Sequence, residues 1–259
     1  QRTAGYPFDS DSPVLQSVMT GIRREIAKVR TIRRVKPLMR DDLEEMLETL
    51  RQDNLREARD ACLLALGWAG ALRRSELVGL DWKALGTTED NGRVGFLTAD
   101  DKGLTITLMR SKASQEQADT VIIPRAFAPS ICAAVENWIR LSGIKAGTPL
   151  LRRTDGNKLG SSRMVARTVA RTIKRRVHVL IKSRAKGRRK LKREDIAALT
   201  EAFSGHSMRA GFVSSAADRD VSDRDIMQQT RHKSPAMVAV YRRDVDKFKR
   251  SGLAKGVGF

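Results

Sequence analysis

The sequence predicts a mainly α-helical domain carrying a small three-stranded antiparallel sheet. Apolar residues recur at helical spacing through most of the chain. Three short strand-like runs, residues 93–97, 104–109 and 120–123, lie together in its middle, with a polar loop at 110–119 between the last two. The 41% apolar content over 259 residues is enough for a sizeable core and argues against global disorder.

Taken in order, residues 14–29 place Leu15, Val18, Met19, Ile22 and Ile26 on one helical face, and the basic stretch 30–37, stopped by Pro37, reads as a linker. A lone helix of this length is marginal in water, so residues 1–36 read as the last piece of a domain mostly absent from the chain. A compact domain is expected over residues 37–243. Asp41 or Asp42 is placed to cap a helix carrying Leu43, Met46, Leu47 and Leu50, and a more apolar helix covers residues 55–70. Beyond the strand runs, helices are expected at residues 127–142, 161–182, 195–203, 208–218, 222–229 and 235–241. Residues 183–193 read as a mobile basic loop. Residues 244–259 form a tail whose charges and glycines leave it no core of its own.

Cys62 and Cys132 stand in apolar surroundings with no Cys-x-x-Cys neighbour, and read as reduced core residues of an intracellular protein. The longest apolar stretch, residues 61–72, is broken by Gly67 and Gly70 and falls short of the ~20 residues a membrane span needs. The chain starts at Gln1 with no signal-peptide pattern, which reads as a fragment.

Fifty Lys and Arg against 30 Asp and Glu give a formal charge of +20, a field that selects a polyanion as partner. Residues 152–193 hold 17 of the basic residues and one acid, Asp155, a net +16 in 42 residues. Within them Val165, Val169, Ile173 and Val177 form an apolar stripe, and Arg163, Arg167, Arg171 and Lys174 recur on the opposite face. A solvated helix face normally interleaves acids at i,i+4, and this one has none. The stripe is therefore assigned to a phosphate backbone.

Only two tyrosines occur, and Tyr241 closes a 36-residue segment that opens with His206-Ser207-Met208-Arg209 and also holds His232. A His-x-x-Arg, a second His and a Tyr bring together an anion clamp, proton-transfer groups and a nucleophile. A phenol ionises near ~10 and attacks poorly when isolated, but neighbouring cations favour its ionised form. Ala71-Leu72-Arg73-Arg74-Ser75-Glu76-Leu77, after an apolar helix, and Lys112, in the polar loop between strand runs, complete the set. No His, Asp and Glu cluster has metal-ligand spacing, and no glycine loop cradles a nucleotide phosphate, so neither metal nor ATP is expected.

The ordered set Arg73, Lys112, His206, Arg209, His232 and Tyr241 resembles the tyrosine recombinase (phage-type integrase) family, its Cre-like and Xer-like members above all, over residues 37–243. Ala71 and Arg231 stand where that family commonly has glycine. The resemblance implies the family's catalytic-domain fold, with residues 1–36 as the tail of its N-terminal core-binding domain. It also implies site-specific cleavage and rejoining of double-stranded DNA through a 3′-phosphotyrosine on Tyr241. Arg73 and Arg209 would hold the non-bridging oxygens, His206 would relay the tyrosine proton and His232 would donate to a non-bridging oxygen. Lys112 would protonate the departing 5′-oxygen; Glu76, by its own position, is expected to orient Arg73 or to cap a turn. A tetramer on two synapsed sites, a tail docked on a neighbouring protomer and a cytoplasmic, nucleoid-associated prokaryotic setting are further implications. Alternatives are a type IB topoisomerase and a non-catalytic DNA-binding module.

Overall fold

The structure, a computed structural model of the chain, describes residues 12–29, 35–84, 93–109, 118–185, 192–232 and 234–242. Residues 30–34 of the expected 30–37 linker, Lys112, most of the 183–193 loop and the tail lie outside these residues. The chain divides into two compact units, Gln1–Arg34 and Val35–Phe259. In the first, α1 (Pro13–Val29) leaves Val14, Val18, Met19, Ile22 and Ile26 exposed.

The second unit opens with α2 (Arg40–Glu48), whose N-cap is Met39 and not an aspartate. Leu38 is wholly buried and its N–H donates to Ser207 O (2.9 Å), which keeps the chain extended up to Met39 and starts the helix early. Asp41 and Asp42 sit in the first turn, favourably placed at the positive helix end. α3 (Leu55–Ala69) is capped by Asn54, whose side chain accepts from Glu57 N at 3.0 Å. It is buried almost all round, and Arg59 and Asp60 lie inside it paired with each other at 2.9 Å. α4 (Arg74–Val78) follows a tight turn.

The sheet corrects the expected three-stranded antiparallel one. Five strands, β1 (Leu80–Trp82), β2 (Gly95–Asp100), β3 (Gly103–Leu108), β4 (Asp119–Pro124) and β5 (Thr148–Pro149), run in the order β4-β3-β2-β1-β5. The three foreseen runs form the antiparallel meander β2-β3-β4, with Leu97 opposite Ile106 and Ile106 opposite Val121. β1 adds to β2 in parallel and β5 adds to β1 antiparallel, so the sheet is mixed. Three and two residues are too few to show an alternation of period two.

α5 (Pro129–Ser142) packs on α3 through Trp138, fully buried, whose indole N–H donates to Leu150 O at 2.8 Å. A separate hairpin then pairs β6 (Arg152–Asp155) with β7 (Lys158–Arg163), where the sequence reading begins a helix at 161. Asp155-Gly156, with Gly156 at φ 55°, is the turn signal that this reading passed over. α6 (Ala166–Ala185) buries Val169, Ile173 and Val177, while Val165 precedes it and is exposed. α7 (Arg193–Glu201), α8 (Ser207–Asp218), α9 (Asp223–Thr230) and α10 (Pro235–Arg242) complete the unit. A Cβ at Gly211 would lie 1.7 Å from Leu38 O, so only glycine lets α8 seat against that backbone. Among the described residues no helix is long and apolar enough to cross a membrane, and both cysteines are free and buried.

Candidate active site

Arg73 sits at the N-cap of α4, and Glu76 one turn on holds it twice. The Arg73 backbone N–H donates to Glu76 Oε2 (2.8 Å) and its Nη1 donates to Oε1 (2.5 Å). The guanidinium remains about half exposed, 55% at the side chain, and is free to meet a ligand. Arg209, on the first turns of α8, is 1% exposed. Its Nη1 donates to Ala71 O (2.7 Å) and its Nε to His232 Nε2 (3.4 Å), so one guanidinium spans the turn before Arg73 and the second histidine.

His232 has its other nitrogen 2.8 Å from Thr230 Oγ1, and Thr230 in turn donates to Ile226 O at 2.6 Å. A hydroxyl already donating to a carbonyl accepts from Nδ1–H, which leaves Nε2 as the acceptor for Arg209. Burial and then the charges of Arg209 and Arg73 push His232 down to about 4. His232 can therefore donate from Nε2 to a phosphate oxygen only after taking up a proton, which an arriving anion favours.

Tyr241, on α10, lies between the two histidines. Its hydroxyl is 2.8 Å from His206 Nε2, and its ring stacks on His232 at 6.2 Å and 26°. Burial pushes the phenol up, and Arg209 opposes this only in part. The expectation of a tyrosine ionised by its cations is thus corrected: desolvation outweighs the charge. Burial, then Arg209, Arg73 and Arg74, hold His206 below the usual histidine value. A neutral imidazole facing a neutral phenol is arranged to accept its proton as attack begins, and not before. By NMR, the His232 ring protons of the protein alone should titrate near pH 4 and those of His206 below about 6.5. A His232 midpoint above about 6.5 would mean that the ring is not held among the guanidinium groups.

Sequence reasoning missed the use made of Arg231. It is the C-cap of α9 at φ 57°, ψ 40°, and Ala71 has φ 44°. Both positions where the resembled family commonly has glycine therefore have the left-handed backbone that glycine adopts without penalty. Arg231 Nη2 donates to Glu76 Oε2 (2.7 Å) and Nη1 to Gly70 O (3.3 Å), tying the His232 turn to the Arg73 turn. Burial pulls Glu76 upward, but Arg231 and Arg73 hold it below the usual carboxylate range. Arg231→Gly should relieve about 1–2 kcal/mol of left-handed strain, which offsets the roughly 1–3 kcal/mol lost with the bonds to Glu76 and Gly70 and leaves the unfolding midpoint nearly unchanged. If the site cleaves DNA as the resemblance implies, single-turnover cleavage should nevertheless slow by about tenfold, as a ~1.4 kcal/mol loss of positioning implies. Parental cleavage by the glycine variant would reduce the tie to a structural contact.

The basic stripe is placed unevenly. Arg163 lies on β7, not on a helix, and its guanidinium reaches Asp81 (2.6 Å) and the carbonyls of Val78 (2.9 Å) and Leu80 (3.1 Å). Arg167 and Arg171 are exposed on α6, Arg171 bonding Thr168 at 3.2 Å, and Lys174 pairs with Glu201 of α7. The acids absent from the helix itself come from other elements: Asp60 of α3 meets Arg175 and Arg176, and Asp42 and Glu45 of α2 meet Arg184. His178 is exposed on the same helix. Among the described residues no three His, Cys, Asp or Glu side chains gather to hold a metal ion.

Residues 36–247 match the model of the phage integrase family. The chain is 32% identical over 245 residues to an integrase/recombinase XerD homolog of Selenomonas ruminantium, covering 93% of this chain and 62% of that one. It superposes on the XerH site-specific recombinase bound to palindromic difH substrate with a TM-score of 0.53 at 15% identity, over 82% of this chain and 51% of that one. On the XerA recombinase the TM-score is 0.52 at 16% identity, over 86% and 65%. These superpositions concern the fold. The chain thus spans between half and two thirds of the length of the relatives it matches.

Proposed function

The chain belongs to the phage integrase family, and from that premise we propose that it cleaves and rejoins duplex DNA as a site-specific tyrosine recombinase. The observation that carries this reading is the 2.8 Å contact of the Tyr241 hydroxyl with His206 Nε2, beside Arg209. As the Tyr241 oxygen bonds to phosphorus, its proton passes to His206, the bond from phosphorus to the 5′-oxygen breaks, and that oxygen takes up a proton. Lys112, implied by the resemblance as the donor of that proton, lies outside the described residues. The reverse attack by a 5′-hydroxyl restores the phosphodiester, so the phosphotyrosine conserves the bond energy and no nucleotide triphosphate is consumed.

Charge balance supports the reading. Arg73, Arg209 and Arg231 converge with Glu76 as their acid, and both histidines are held toward their neutral forms. That leaves a surplus of two positive charges, before the proton taken up by His206 is counted, to meet the dianionic phosphorane formed from a phosphodiester and a phenolate. Donors fixed before the charge develops stabilise it most, and forked guanidinium groups can bind two oxygens at once. Buried Arg209 is pushed down to about 10 by desolvation and then by Arg73, and is still charged at neutral pH.

The same reading takes the active assembly to be a tetramer on two synapsed sites, in the nucleoid of a prokaryotic cytoplasm. Residues 1–36 would end a core-binding domain, and the tail would dock on a neighbouring protomer. Incubation with nicked duplexes should give a covalent protein–DNA band and, with two labelled duplexes, products joined between them. A covalent band without joined products would indicate relaxation of a single duplex, and no band at all would leave a binding module.

A further inference from the structure

At the end of α3 remote from Arg73, a cavity of about 240 Å³ opens between the first turns of α3, the β6–β7 hairpin and the first half of α6. Five arginines line it: Arg56, Arg59, Arg153, Arg171 and Arg175. No carboxylate is among the lining residues. Asp60 is wholly buried, with Oδ1 taken by Arg59 (2.9 Å) and Oδ2 by Arg175 (2.6 Å) and Arg176 (2.7 Å). Glu57 accepts from the Arg51 backbone (2.8 Å) and from Arg176 (3.4 Å). Six arginines, the five lining the cavity together with Arg176, therefore face two local acids, a surplus of four positive charges.

Three features show that this surplus is not neutralised within the fold. The Nε–H groups of Arg59 and Arg175 are buried without an acceptor, each at a cost of roughly 1–3 kcal/mol. Arg59 is itself 5% exposed. Arg56 is held below the ordinary arginine range, by the Arg175 charge first and by burial second. The hydroxyls at the cavity are also poised to donate: Thr154 Oγ1 accepts from Arg59 (2.7 Å) and Thr168 Oγ1 from Arg171 (3.2 Å), which leaves the hydrogen of each to give. A lining made of forked cations and hydroxyl donors fits a compact ligand whose oxygens only accept.

We infer that this cavity is a second phosphate-binding site, built to hold a backbone phosphate of the bound duplex away from the scissile one. Ten residues of α3 separate Arg59 from Ala69, about 15 Å along the helix. Two held phosphates fix the register of the duplex over Tyr241, whereas one permits rotation about the contact. The assignment of the ligand to DNA rests on the recombinase reading; the phosphate chemistry of the cavity does not.

The test is the double variant Arg56→Gln/Arg153→Gln, two exposed cavity side chains, with Lys145→Gln/Arg224→Gln, two exposed cations outside the cavity lining, as the control. The first readout is the dependence of log K on log salt for a random-sequence duplex. The second is the rise in unfolding midpoint on adding inorganic phosphate to the DNA-free protein. The cavity variant should flatten the slope by about one, for the one phosphate the cavity holds, relative to both the parent and the control. A flattened slope with no effect of inorganic phosphate on the parent identifies DNA as the sole source of the phosphate. An unchanged slope together with a phosphate-induced rise seen in the parent and lost in the variant assigns the site to a free phosphate. An unchanged slope with no phosphate-dependent difference between parent and variant overturns the site. Neither readout involves Tyr241, so loss of the covalent band would fail the recombinase reading and leave this result standing.

Discussion

Tyr241→Phe is expected to abolish covalent attachment to DNA while leaving the fold and the affinity for DNA intact. The change removes one oxygen from a ring that packs beside Val213, Ala217, Ile226 and Val238. Those apolar contacts persist in phenylalanine, so α10 stays seated. The hydrogen bond lost is to His206, and its net worth is about 0.5–1.5 kcal/mol. The unfolding midpoint should therefore fall by a few degrees at most. Binding should be unaltered in its salt dependence, because no cation is removed. Chemistry, by contrast, loses the oxygen proposed to attack. Ser207 is fully buried, and Ser204 Oγ is engaged by the His206 N–H at 3.2 Å. Denaturing gels of nicked duplex with parent and variant, followed by mapping of the linked peptide, decide the matter. A phenylalanine variant that still forms the adduct, or a linked peptide containing Tyr6 or a serine, removes Tyr241 from the nucleophile's role.

The site was legible in the sequence where its chemistry is contiguous. His206, Arg209, His232 and Tyr241 fall within one run of 36 residues, and the helix α8 with the short connection into α10 leaves their side chains few other places to go. The helices with clear apolar periodicity were legible for the same local reason, as was the meander β2-β3-β4. What could not be read is what depends on distant partners. β1 and β5 are strands only because the meander offers an edge to extend. The α6 arginines looked unpaired because Asp60, Asp42 and Glu45 lie more than a hundred residues earlier. The Tyr241 phenol was expected to be ionised because its cations are visible in sequence, whereas the burial that outweighs them is not. At Arg231 the missing glycine was plain, but the compensating bond to Glu76 joins residues 155 apart in the chain.

Arg209→Lys should be the most damaging substitution that keeps the formal charge of the site. Arginine there makes two bonds in different directions, to Ala71 O at 2.7 Å and to His232 Nε2 at 3.4 Å, and offers further N–H groups to a phosphate. Lysine is a point charge on a flexible stem and cannot hold both partners while facing the ligand. An ammonium also desolvates at greater cost than a guanidinium. Burial together with Arg73 and Arg231 already draws Arg209 down to about 10. The same surroundings act on a lysine whose unperturbed value is near ~10.4, so it loses its proton within reach of neutral pH. Two effects then combine. The clamp on the non-bridging oxygens weakens, which by analogy with loss of a single preorganised donor slows cleavage by about 10²–10³-fold. The rate of the variant should also fall further as pH rises and the ammonium titrates, a limb the parent lacks near neutrality because its guanidinium remains charged. Stability should drop by about 1–3 kcal/mol if Ala71 O loses its donor. Single-turnover cleavage across pH, read beside thermal unfolding, separates these contributions. A lysine variant that cleaves within a few-fold of the parent at every pH would show that residue 209 supplies charge alone, and that the fork spanning Ala71 and His232 has no part in the reaction.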